Sequence, residues 1–154
     1  MNTKTILVLG GGIGGLAAAA SLRRLLASEH RVIVIEKNAT FALRMANLWL
    51  MTGERERAEE GERNLSGLSE RGIEWVEAEI ETIEPVSRTV KTRVGAFTGD
   101  HLIIALGAER HPQAVPGFAE SALDLYEAQG AVAIRRALEI FGSSPVSGVT
   151  GRGG

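Results

Sequence analysis

The stretch Ile6-Leu7-Val8-Leu9-Gly10-Gly11-Gly12-Ile13-Gly14-Gly15-Leu16-Ala17-Ala18-Ala19-Ala20 decides how this chain is read. An apolar, partly β-branched run meets a cluster of glycines, and an alanine-rich segment follows. That order predicts a buried strand, a tight turn and a helix. Gly10, Gly12 and Gly15 have the G-x-G-x-x-G spacing of a dinucleotide-binding turn. Each glycine has a physical task. Gly10 permits the sharp exit from the strand, Gly12 leaves the backbone bare for a pyrophosphate, and Gly15 lets the helix lie close on the strand. The helix then opens with free N–H groups and the positive end of its dipole toward an anion.

Spacing alone is weak evidence, and the neighbouring residues strengthen it. The strand precedes the turn and the helix follows, ending near Leu26. A second strand, Val32-Ile33-Val34-Ile35, then ends in Glu36. Glu36 lies 21 residues past Gly15 (36 − 15), about where an acid meets a ribose hydroxyl. Lys4 followed by Ile6–Ala20 also has the outline of a secretory leader. The glycine cluster and Glu36 argue against cleavage, and so does the second strand, which needs the first as a neighbour. The run is too short to span a membrane.

Composition narrows the function classes. With 154 residues the chain can bury the core of one domain. A hydrophobic share of 44% and a charged share of 23% are those of a soluble globular protein. The net charge of −2 provides no electrostatic footprint for nucleic acid or an anionic membrane. Cysteine is absent, which excludes disulfides, thiolate metal sites and a redox-active thiol within these residues. This suits a cytoplasmic location. No later run is long and apolar enough for a transmembrane segment, and no metal-ligand set stands out.

Outward from the turn, the first helix carries Leu16, Ala20, Leu22, Leu25 and Leu26 as apolar positions, with Arg23 and Arg24 exposed. Residues 37–53 read as a short core helix burying Phe41, Leu48, Trp49 and Met51. The mixed charges of 54–63 read as a solvated face. Leu65 and Leu68 suggest a helix ended by Gly72, and Ile73-Glu74-Trp75-Val76 a third parallel strand. Residues 79–99, with Ile80, Ile83, Val86, Val90 and Val94 spaced among polar residues, predict an antiparallel meander. His101-Leu102-Ile103-Ile104-Ala105-Leu106-Gly107 reads as another buried strand, with His101 packed or solvated rather than catalytic. A helix from about Gln129 to Phe141 would present Ile134, Leu138 and Phe141 on one face. Residues 142–154, rich in glycine and serine, are expected to be disordered.

These residues together resemble a known family. The chain is similar to the amino-terminal FAD-binding part of the FAD/NAD(P)-dependent pyridine nucleotide-disulfide oxidoreductase superfamily. Within it the chain looks most like sulfide:quinone oxidoreductase and flavocytochrome c sulfide dehydrogenase. The resemblance runs to about Phe141. It rests on the Gly10–Gly15 turn, Glu36, the segment from Phe41 to Arg57, Arg71-Gly72-Ile73-Glu74-Trp75, the meander, Asp100 to Gly107, and Val115-Pro116-Gly117. It implies an α/β, Rossmann-like domain over residues 1–141: a parallel sheet with flanking helices and a β-meander on the other face.

The resemblance also implies roles. Gly10, Gly12, Ile13, Gly14 and Gly15 would hold the FAD pyrophosphate. Glu36 would bind the adenosine ribose with Lys37 beside it, and the Ile80 backbone would meet the adenine. Ala105 and Gly107 match a turn that closes over the FAD, with Leu106 standing where relatives have a threonine hydroxyl. Relatives continue into a second dinucleotide-binding domain, return to finish the flavin site, and carry redox cysteines. The chain therefore reads as a truncated portion of a flavin-dependent oxidoreductase that would pass electrons to a quinone or draw them from NAD(P)H when complete. Some relatives associate peripherally with membranes. Two rival readings stay open. One is a non-catalytic remnant that works as a homo-oligomer or with a complementing chain. The other is an NAD-dependent Rossmann enzyme, because Glu36 suits the ribose of either dinucleotide. No catalytic side chain is assigned.

Overall fold

The computed structural model describes residues 3–143. They divide into two units. The first comprises residues up to Leu43 together with Glu62–His111, and the second Arg44–Gly61 together with residues from Pro112 onward.

In the first unit, β1 (Thr5–Leu9), β2 (Arg31–Glu36), β5 (Glu74–Glu77) and β9 (His101–Ile104) form one parallel sheet in the order β5-β2-β1-β9. Parallel strands need crossovers, and α1 (Ile13–Leu25) supplies the one between β1 and β2. Because strand side chains alternate, β1 feeds two cores. Ile6 and Val8 pack with Val32, Val34, Ile73 and Ala19 on the α1 face. Leu7 and Leu9 pack with Ile33, Ile35, Ala78 and Val90 on the other. That second face is covered by an antiparallel meander of β6 (Ile80–Glu84), β7 (Thr89–Thr92) and β8 (Gly95–Thr98). The expected layers of helix, parallel sheet and meander are therefore present. A small antiparallel pair, β3 (Thr40–Ala42) with β4 (Glu62–Asn64), completes the unit's strands.

Asp100 ties β9 to β1. Its carboxylate accepts from Lys4 Nζ and from the Thr5 N–H, both at 2.8 Å. The Lys4 hydrogen bond, then the Thr5 N–H, hold its pKa below the usual carboxylate range. Gly72 ends the turn of helix at Leu65–Arg71 with φ +69, as a C′ glycine should, although that turn is 3-10 rather than α.

Several sequence expectations are corrected here. On α1 the inward stripe is Gly15, Ala19, Leu22 and Leu26, while Ala20 is exposed and Leu25 is 76% exposed. Arg23 is half-buried rather than exposed. Its guanidinium donates to the carbonyls of His30 at 2.7 Å, Leu26 at 3.0 Å and Ala27, so it caps the helix end. Phe41 lies in β3, not in a core helix. The strand predicted to run to Gly107 stops at Ile104, opposite Leu9 where β1 also ends, and Ile104 is 57% exposed on what is the edge strand among the described residues. Val86 and Val94 are exposed at the turns of the meander.

The second unit contains α2 (Asn47–Thr52), α3 (Phe118–Ser121) and α4 (Ala128–Ser143). α2 buries Asn47 and Leu50 and leaves Leu48 and Trp49 exposed, so the predicted apolar contacts are displaced to polar ones. Asn47 Nδ2 donates to the carbonyls of Leu125 and Tyr126 at 3.1 and 3.0 Å. Arg44 stacks on the Tyr126 ring at 4.2 Å and pairs with Glu127 at 2.8 Å. Arg55, expected on a solvated face, is half-buried and stacks on Trp49 at 4.6 Å. α4 buries Ala131, while Leu138 and Phe141 on its predicted inward face are exposed. Gly142 and Ser143 complete α4, contrary to the disorder expected of them, and the rest of that stretch, 144–154, lies outside the described residues.

Candidate functional site

β1 ends at Leu9, and the chain turns at Gly10, whose N–H donates to the Ile35 carbonyl at 2.9 Å. Gly10 has φ +104, a region that side chains rarely enter, and a Cβ there would lie 2.8 Å from the Ala105 carbonyl carbon. A Cβ on Gly15 would strike the Gly10 carbonyl, 3.0 Å from its carbon. These two glycines close the turn and seat α1 on β1. Gly12 differs, because nothing lies within 4 Å of where its Cβ would be. Its bareness serves no internal packing and leaves open space above the backbone.

That space faces the start of α1. Gly12 is the N-cap, with no side-chain cap hydrogen bond. The first intrahelical bond runs from the Leu16 N–H to the Gly12 carbonyl at 2.9 Å. The N–H groups of Ile13, Gly14 and Gly15 precede it and have no intrahelical acceptor. Gly12, Ile13 and Gly14 are exposed. Bare donors at the positive end of a helix dipole make a place for an anion.

Glu36, at the end of β2, closes one side. Its Oε2 accepts from the Gly11 N–H at 2.7 Å, and its Oε1 accepts from the Asn38 N–H and Nδ2 at 2.9 and 2.8 Å. Lys37 follows, exposed. Ala105 borders the other side, with its N–H on the Leu9 carbonyl at 2.8 Å and its Cβ 4.0 Å from where a Gly14 Cβ would be. Gly107, two residues on, has φ +79 and is exposed.

Of the residues singled out in the sequence, the fold thus brings Gly10, Gly12, Ile13, Gly14, Gly15, Glu36 and Ala105 around one turn. Ile80 opens β6. Its half-buried side chain packs against the meander-side core, two residues past Ala78, whose N–H donates to the Glu36 carbonyl at 3.0 Å. Sequence reasoning missed Gly11 and Asn38. The signals were there: a glycine run longer than the motif needs, and an asparagine two residues past the acid, where its side chain and N–H can fold back. A hollow of about 480 Å³, floored by Ile6, Leu22, Leu26 and Ile103, is beside Lys4 and His101 at the other end of β1 and β9. It is not part of this site.

The family model for pyridine nucleotide-disulphide oxidoreductases matches residues 4–140. The chain belongs to this family. The sulfide-quinone reductase of Aquifex aeolicus is 31% identical over 68% of this chain and 24% of its own length. The mouse mitochondrial sulfide:quinone oxidoreductase is 28% identical over 77% of this chain and 26% of its own. The solved structure of the Aquifex aeolicus sulfide:quinone oxidoreductase superposes with a TM-score of 0.79 at 28% identity, covering 93% of this chain and 33% of that one. The chain spans roughly a quarter to a third of the curated relatives it matches.

Members of this family bind FAD. The geometry fits the phosphate and ribose part of such a group: an open backbone at Gly12, unpaired helix-start N–H groups, and a carboxylate one strand away. Among the described residues no helix is long and apolar enough to cross a membrane.

Proposed function

We propose that this chain holds the adenosine diphosphate half of FAD and is the FAD-binding portion of an oxidoreductase of sulfide:quinone oxidoreductase type. Gly10, Gly12, Ile13, Gly14 and Gly15 surround the pyrophosphate. Glu36 accepts from the ribose, Lys37 lies beside it, the Ile80 backbone borders the adenine, and Ala105 and Gly107 close over the group. FAD, when bound, supplies the electron-transfer chemistry. The residues of this chain bind and orient it: helix-start N–H groups neutralise phosphate charge, and Glu36 anchors the sugar. In the whole protein we infer electron flow from a reduced sulfur species or NAD(P)H to a quinone, in the cytoplasm or at a membrane face. The observation that carries this reading is the unobstructed Gly12 beside bare N–H donors and Glu36.

A second reading has its own support. β9 is an edge of the parallel sheet among the described residues, with Ile104 exposed, and parallel sheets are ordinarily covered. That favours a half-molecule working with a complementing chain or a second copy. Titrating the purified apo-protein with FAD and with NAD, followed by flavin fluorescence and calorimetry, tests the first reading. FAD should bind and NAD should not. Gly12→Val should leave the unfolding midpoint unchanged and weaken FAD by about 100-fold, because its Cβ meets only ligand space. A protein that ignores FAD, or a Gly12→Val variant that binds it normally, would overturn the reading.

A further inference from the structure

Both oxygens of the Glu36 carboxylate are already engaged. An ionised carboxylate has about four acceptor positions, two on each oxygen. On Oε1, the Asn38 N–H at 2.9 Å and Asn38 Nδ2 at 2.8 Å take two. On Oε2, the Gly11 N–H at 2.7 Å takes one. One position remains, and it belongs to Oε2. A Cβ on Gly11 would lie 2.8 Å from Glu36 Cγ and 3.0 Å from Leu65 Cδ1, so the Glu36 stem passes close over Gly11 beside Leu65. Three hydrogen bonds hold the carboxylate in this orientation.

Resting on the nucleotide-binding reading above, we propose that Asn38 is a positioning residue that makes Glu36 a single-hydroxyl reader of the adenosine ribose. By occupying Oε1, Asn38 leaves only Oε2 for the cofactor, so one of the two ribose hydroxyls is bonded and the other is not. The chemistry recognised is a vicinal diol with one hydroxyl unmodified. A phosphate on the recognised hydroxyl would face a carboxylate with no donor to offer, and is rejected.

Calorimetric titration of the full chain with ADP, 2′-deoxy-ADP and 3′-deoxy-ADP tests this. The wild-type protein should lose about 10-fold in affinity for one deoxy analogue and less than about 2-fold for the other, since a hydrogen bond to a charged group is at stake in only one case. Asn38→Ala frees a position on Oε1, so the gap between the two analogues should shrink to about 2-fold or less. Glu36→Gln should bind all three alike, and adding Asn38→Ala to it should change nothing further. Asn38 is exposed, so its unfolding midpoint should stay that of the wild type, which a merely structural role would move. Comparable losses for both analogues in the wild type, or an Asn38→Ala variant that keeps the full gap, would overturn the proposal while leaving nucleotide binding intact. Failure of ADP itself to bind would instead sink the nucleotide-binding reading, and this proposal with it.

Discussion

Gly15 and Gly130 occupy the same kind of place in two different units. Each is the third residue of its helix, in α1 and α4 respectively. A Cβ on Gly15 would strike the carbonyl of Gly10, and one on Gly130 would strike the carbonyl of Asp124, 2.7 Å from its carbon. Each helix also buries an alanine completely, Ala19 in one and Ala131 in the other. Close approach of a helix to a preceding loop therefore demands glycine whether or not a ligand is involved. What makes the α1 turn a site is different: Gly12 is open and the helix starts with bare donors beside a carboxylate. α4 opens with the same kind of first bond, from the Ala131 N–H to the Glu127 carbonyl at 3.1 Å, so a helix start alone does not make a site and the open Gly12 beside Glu36 does. Past the glycine the two helices diverge again. α1 lies along a four-stranded sheet, whereas α4 leaves Leu138, Ile140 and Phe141 exposed, the last at 82%.

The largest expected effects test the shared part of that comparison. Gly15→Ala and Gly130→Ala should each destabilise by about 3 kcal/mol in urea unfolding, since the backbone of both loops must shift and the gain in helix propensity offsets only part. A neutral Gly130→Ala would break the parallel. Next comes the bond pattern specific to the second unit. Arg44→Ala removes both the stacking on Tyr126 and the pair with Glu127, and should cost about 1 kcal/mol with no change in FAD affinity. A fall in FAD affinity would show that the two units are not separable in function.

The smallest effect sharpens the account of the sheet. Arg31 binds Glu74 through two hydrogen bonds of 2.7 Å between β2 and β5. The Arg31 hydrogen bond lowers the Glu74 pKa against the opposing pull of desolvation, and the Arg31 pKa is raised by its bond to Glu74. A carboxyl lowered on folding stabilises above its ordinary pKa, and that contribution is lost as pH falls through the lowered value. Both side chains are about half exposed, so solvent screens the pair. Arg31→Ala should cost about 0.5 kcal/mol near neutral pH and nothing once Glu74 is protonated. Unfolding curves of the two proteins that stay parallel into acid would refute the assignment.

The sequence by itself determined the strand, glycine turn and helix, the acid at the end of β2, the third parallel strand and the meander. Those features are written in short-range patterns: alternation, apolar runs and glycine spacing, each set by the chain's own neighbours. Tertiary structure decided what those patterns face. The inward stripe of α1 kept Leu22 and Leu26 but fell on Gly15 and Ala19 rather than Leu16 and Ala20, because the start of the helix lies too close to β1 for a side chain at Gly15. Gly11 became a partner of Glu36 only when β1 and β2 were set in register, which joins residues 25 apart in the chain, whereas Asn38 folds back on Glu36 from two residues away. Phe41 went to a strand because Glu62–Asn64 offered its hydrogen bonds, and Arg23 turned inward because the loop from α1 to β2 brings the Leu26, Ala27 and His30 carbonyls within its reach. Local spacing states what a residue can do, and only long-range pairing states what it meets.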